Sequence, residues 1–213
     1  MKFINSSKAE LITYTENQLS TFFPDGKRSD IRPYFDDTMD RLKTCINNIK
    51  FWPIDEFDLM HSSQYCTYLY FLSNTIWRNT QNQILCTKLF LLNKALNAID
   101  CFYEIELPDI FFIGHSAGIV LAKASYSDYL VLYQNSTIGK NNGQAPQLET
   151  GVIVFPNVGI IGDSVIKSRS IIAQGVSVIN QSTEPNKIVF NGIGGELIFK
   201  DAKRDYLHDY FRF

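Results

Sequence analysis

Val154, Ile160, Ile166, Ile172 and Val178 stand six positions apart, without exception. Two places before each come Val152, Val158, Ser164, Ser170 and Val176, all small or β-branched. The same comb runs backward through Ile138, Leu132, Tyr126 and Val120. A period of six matches neither the 3.6 of an α-helix nor the 2 of a flat strand. It matches a solenoid whose coil has three short sides, each aliphatic pointing inward and stacking on its equivalent one coil away. The comb breaks once, between Ile138 and Val154, where KNNGQAPQLETG is polar and holds Gly143 and Pro146. That stretch reads as a loop thrown out of the coil, and loops on rigid scaffolds often carry sites.

The first hundred residues keep a different period. Tyr65, Leu69, Leu72 and Ile76 recur at helical spacing, as do Leu85, Leu89, Leu92, Leu96 and Ile99, so two amphipathic helices are expected. Thr80 with Gln83 predicts a capping box at the start of the second. Ser29 and Asp30 precede another helix over 30–49, ended by Trp52-Pro53, because proline disfavours helical geometry in the residue before it. A further helix is expected over 8–21. The expected fold is therefore an N-terminal α-helical domain, 1–103, followed by a parallel β-solenoid over 104–213. Past the comb, IVFNGIGGELIF should return as an extended segment, and KDAKRDYLHDYF should form a short helix sealing the last coil.

Charge narrows the function classes. Twenty basic and 22 acidic residues are interspersed and sum to −2, which argues against a nucleic-acid footprint. MKFINSSKAEL lacks a signal-peptide core and no apolar run has membrane-spanning length, so a cytoplasmic protein with no membrane span is expected. Four cysteines, at 45, 66, 86 and 101, form no CxxC pair, so reduced thiols are expected rather than a zinc or redox motif. Only three histidines occur, at 61, 115 and 208, and no metal site is expected from them.

His115 lies in GHSAGIVL, where the sequence changes from helical to coil period. A hydroxyl is a poor nucleophile near neutral pH, and its attack on an electrophile needs a base within hydrogen-bond reach. An imidazole suits that task, and a carboxylate on its other nitrogen would fix the tautomer and steady the imidazolium. Glu106 is the first candidate for that carboxylate and Glu104 the second.

GHSAGIVL, then YQNSTIG, the polar loop, PQLETGV and GVIVFPNVGIIGDSVIKSRSIIAQGVSVI together resemble the hexapeptide-repeat acyltransferases. The resemblance is to their serine acetyltransferase-like branch, which includes surface-polysaccharide O-acetyltransferases, and it covers about residues 80 to 190. It implies a left-handed parallel β-helix, a homotrimer that can pair into a dimer of trimers, and acetyl transfer from acetyl-CoA to a hydroxyl. It also implies His115 as general base, with coenzyme A along the coils near Gly139, Lys140, Pro156, Ala173 and Lys187. Tyr133, Gln134 and Asn135, with Glu104, are expected to face acceptor or pantetheine. The loop departs from the serine enzymes: Gln144 and Ala145 stand where that branch has arginine and histidine. The expected acceptor is accordingly a sugar or surface-polysaccharide hydroxyl. The alternatives are serine, an amino-sugar nucleotide amine, or no reaction at all in a solenoid that only binds a partner.

Overall fold

A computed structural model describes residues 1–27 and 29–213. Four helices, α1 (Lys8–Phe22), α2 (Arg32–Asn48), α3 (Ser62–Thr80) and α4 (Gln83–Asn97), precede a parallel β-solenoid. The start of α1 is a capping box: Ser7 Oγ accepts from the Glu10 N–H, and Glu10 returns a carboxylate to the Ser7 N–H. α3 runs through the middle of the helical part, with every residue from Ser63 to Ile76 buried. The capping box expected from Thr80 and Gln83 does not form. Thr80 is still helical, its hydroxyl donating to the Ile76 carbonyl, and Asn82 caps α4 by accepting from the Leu85 N–H.

The coil has three faces, as the six-residue comb requires. The first stacks Phe111–Ile113, Leu130–Leu132, Ile153–Val154, Ile171–Ile172 and Lys187–Asn191. The second stacks Asp100–Cys101, Val120–Leu121, Thr137–Gly139, Gly159–Ile161 and Ser177–Ile179, so its first strand lies just ahead of the boundary expected at 104. The third holds Ser125–Tyr126, Gln147–Leu148 and Val165–Ile166. Of the comb residues, Leu132, Ile138, Val154, Ile160, Ile166, Ile172 and Val178 are all fully buried. At the places two before, the Ser164 and Ser170 hydroxyls are buried but donate to backbone carbonyls, which removes the cost of hiding them.

Two comb positions differ from expectation. Val120 is 42% exposed, and its neighbour Leu121 points inward, in register with Ile138. The reason is that the first coils still follow the end of α4 and have not settled to the regular repeat. Leu148 supplies the rung hidden by the break, pairing with Tyr126 behind and Ile166 ahead. The polar loop is thus only a short excess over one regular coil, leaving the prism at the edge between the second and third faces.

At each edge the chain turns through a left-handed residue. Between the first and second faces these are Ala98, Gly118, Asn135, Asn157 and Gly175, each with positive φ. Glycine and asparagine tolerate that conformation best. They form a ladder: the N–H of Gly118 donates to Ala98 O, Asn135 to Ala117 O, Asn157 to Gln134 O and Gly175 to Pro156 O. The ladder begins on Ala98, the C-cap of α4, so the helix end is also the first rung of the coil.

The C-terminal segment departs from expectation. Lys187–Asn191 and Leu197–Asp201 form an antiparallel hairpin, and a 3₁₀ turn follows at Tyr206–Asp209. Instead of sealing the last coil, the tail runs back along the outside of the first face, where Leu207 lies beside Gly151 and Ile153. That cover explains why the outward-pointing Val131, Ile153 and Ile171 are buried. The tail ends against the helices: Arg212 donates to the carbonyls of Asn47, Ile49, Lys50 and Trp52, at and just beyond the C-terminus of α2.

Candidate active site

His115 sits on the turn from the first face to the second, directly after Phe111–Ile113. Two glycines of GHSAG shape that turn. A Cβ on Gly114 would come within 2.5 Å of the Tyr133 ring, so glycine lets Tyr133 lie against the backbone beside His115. Gly118 has φ +75°, and a Cβ there would meet Asn135 Oδ1 at 2.2 Å. The imidazole is exposed and, among the described residues, has no hydrogen-bond partner; its ring faces Tyr133 at 6.4 Å.

The ring opens onto a cleft of about 400 Å³ between the coil and the helical part. Phe51 and Trp52, just past α2, and Phe112 and Tyr133 of the first face make aromatic walls. His61, Ser62 and Ser63 enter from the start of α3. Ser63 Oγ donates to the Gly114 carbonyl at 3.2 Å and so ties α3 to the His115 turn. None of these helical-side residues stands out as a site residue in the sequence. Trp52-Pro53 is visible there only as a helix stop, and His61 carries no local pattern.

Several expected site residues line up with His115. The edge carrying it continues one coil at a time: Tyr133 stacks on Phe155 at 5.7 Å with the rings 15° apart, and Ala173 follows one coil further on. Gln134 and Pro156 lie beside that row as rungs of the left-handed ladder, with Asn135 between. Space beside the next rung, Gly175, is open. His115, Tyr133, Gln134, Asn135, Pro156 and Ala173 therefore share one edge of the prism.

Others fall elsewhere. Gly139 and Lys140 stand where the polar loop leaves the coil, on a different edge of the same chain. The Lys187 ammonium is paired with Asp201 at 2.6 Å, at the start of the last strand of the first face. Neither glutamate supports His115. Glu104 is ion-paired with Lys123. Glu106 is held by Arg78 and by Asn74 Nδ2. Partial burial works to raise the Glu106 pKa, but the Arg78 hydrogen bond and charge, with Asn74, outweigh it and hold the carboxyl below its usual range. Coil pairing sets the Asp100 backbone beside that of Ile119, its N–H donating to Ile119 O at 2.8 Å, while its carboxylate pairs with Lys94.

All four cysteines are free and buried. Burial pushes the thiols of Cys45, Cys66 and Cys86 up to about 12, and that of Cys101 also upward. They are packing groups, and Cys45 donates to Phe111 O at 3.1 Å, linking α2 to the coil. Among the described residues no group of three His, Cys, Asp or Glu side chains is placed to hold a metal, and no helix is long and apolar enough to cross a membrane.

A helical cap leading into a three-sided hexapeptide coil is similar in fold to hexapeptide-repeat acyltransferases. The likeness falls on their serine acetyltransferase branch. Serine acetyltransferase of Buchnera aphidicola is 27% identical over 159 residues, covering 68% of this chain. The chain spans 59% of that relative's length. The crystal structure of serine acetyltransferase from Vibrio cholerae superposes with a TM-score of 0.70 at 17% identity, over 95% of this chain and 83% of that one. Soybean serine acetyltransferase complexed with serine gives 0.60 at 13% identity, over 78% and 69%. No family model matches the chain. These relatives are named for serine, whereas the sequence led to the expectation of a sugar or surface-polysaccharide hydroxyl.

Proposed function

We propose that this chain is an acetyl-CoA-dependent O-acetyltransferase of the serine acetyltransferase kind, with a serine-type hydroxyl as acceptor. The observation that carries the reading is the position of His115. It stands unpaired at the mouth of an aromatic cleft and at the head of an edge open along the coils. Acetyl-CoA would lie along that edge past Tyr133, Pro156 and Ala173, its thioester at His115, while the acceptor fills the cleft. His115 takes the hydroxyl proton as the oxygen attacks the carbonyl carbon. The tetrahedral adduct then collapses, the C–S bond breaks, and the thiolate of coenzyme A recovers the proton from the imidazolium. General-base assistance of this kind is worth about 10² to 10⁴ in rate.

Gly139 and Lys140 lie on another edge, so they would reach a His115 cleft only from a neighbouring copy, which supports a homotrimer as the working form. One observation favours a second acceptor class, a sugar hydroxyl: the loop offers Gln144 and Ala145 and no charged side chain at those two places. Release of free thiol from acetyl-CoA separates the two. L-serine is expected to drive it and amino sugars or oligosaccharides are not; the reverse ranking would replace serine. His115→Ala should lower turnover by about 10² to 10⁴ while circular dichroism stays unchanged, because the ring is exposed and unbonded. Unchanged turnover removes His115 from the reaction. A scaffold without activity would show no thermal stabilisation by coenzyme A, whereas a true ligand at 100 times its Kd gives about 2.7 kcal/mol.

A further inference from the structure

His115 is not alone in its cleft. Of the three histidines, His208 is committed elsewhere, its ring against Phe213 at 4.9 Å and 3.5 Å from Asp205. His61 is different. It is 54 positions from His115 in the chain, yet both rings line the same cleft. Its Nδ1 caps α3 by accepting from the Gln64 N–H at 3.4 Å. In a neutral imidazole that acceptor role places the proton on Nε2. The ring is held edge-on to Trp52, centroids 5.6 Å apart at 75°, and Trp52 is itself fixed through the Arg212 bond to its carbonyl. The result is a donor of defined tautomer and restricted orientation. The described lining residues include no Asp, Glu, Lys or Arg, so no fixed charge competes for an anionic group of the acceptor and none supplies a stronger partner.

We infer that His61 is the acceptor-binding donor of this cleft: its Nε2–H donates to a carboxylate oxygen of the acceptor while His115 takes the hydroxyl proton. The inference rests on the transfer reading above and adds the group that recognises the acceptor's acid end. It also separates two tasks on two imidazoles brought from opposite halves of the molecule. His61 binds and His115 moves the proton.

Asparagine is a good helix cap, so His61→Asn keeps the bond to the Gln64 N–H and removes only the far ring nitrogen. With acetyl-CoA and L-serine, this variant should raise KM for L-serine tenfold or more, the loss expected for a hydrogen bond to a charged group. The turnover number and KM for acetyl-CoA should stay within about threefold, and Tm should hold. L-serinamide, which lacks the carboxylate, should show nearly equal KM with the wild-type protein and the variant. His61→Asp, an equally good cap, places like charge against the acceptor and should raise KM for L-serine further. An unchanged KM for L-serine in His61→Asn overturns the inference and leaves the transfer reading standing. So does an equal rise for L-serine and L-serinamide, which marks a merely structural residue. A wild-type protein that releases no thiol with L-serine overturns both.

Discussion

The helical part and the coil bury comparable apolar groups but arrange them by opposite rules. The helical core is assembled from single large pieces: Phe35, Phe57, Tyr68, Tyr70 and Phe71 are all buried, each in its own setting. The coil core is the same aliphatic group repeated, Ile138 on Ile160 on Val178 along one face and Leu132 on Val154 on Ile172 along another. Repetition stacks these side chains into a continuous buried column. The irregular half can leave a hollow, and the cleft forms where the two meet. The lesson is a division of labour. The prism supplies a straight edge and the His115 imidazole, and the helices supply a shaped wall.

Single substitutions should expose the difference. The largest effect on stability is expected in the prism. Ile160→Ala opens a void between Ile138 and Val178, whose backbones are locked in parallel ladders and cannot close on it. A cost of about 2 to 5 kcal/mol follows, or a Tm fall of several degrees or more by differential scanning calorimetry. A loss below about 1 kcal/mol would mean the stack relaxes as freely as a helical core. Next comes the seam. Arg212→Ala removes four bonds to the carbonyls around Phe51 and Trp52, with an expected cost of about 2 kcal/mol and a higher KM for the acceptor. Lowered stability with an unchanged KM would show that the aromatic wall holds its shape without the tail.

A gentler test uses pH. Cys45, Cys66 and Cys86 belong to the helices, and burial raises each thiol from 9.0 to about 12. Their folded pKa is the higher one, so the stability they contribute is whole below about pH 9 and is lost as pH climbs towards 12. Cys101 on the second face is raised as well, so only the excess of thiols on the helices, three against one, predicts that helical circular dichroism declines first in that window. Simultaneous loss would indicate that both halves unfold as one unit.

How much could be read beforehand follows from the same contrast. The prism was legible because its inward positions repeat, and after the break the period resumes at Leu148, six positions before Val154. Val120 misled because the first coil still follows the helix, and the period alone does not reveal which of two adjacent aliphatics turns in. Helix locations were legible from their stripes, but the α4 cap was not. Thr80 and Asn82 both satisfy cap chemistry, and the choice was made by how far α3 continues. His115 stood out through its glycines. His61 and Trp52 did not, because a cleft wall built from a helix start and a helix end leaves no periodic trace. Glu106 failed as a partner for His115 because Arg78, on α3, reaches it first.

Ala98 belongs to two structures at once, ending a helix and opening the left-handed ladder. Winding of the prism thus inherits its starting angle from α4, and a residue inserted at Asn97 would rotate the whole column under the helices by a fraction of a turn. The chemistry at position 115 is in this sense clocked from a helix terminus seventeen residues upstream.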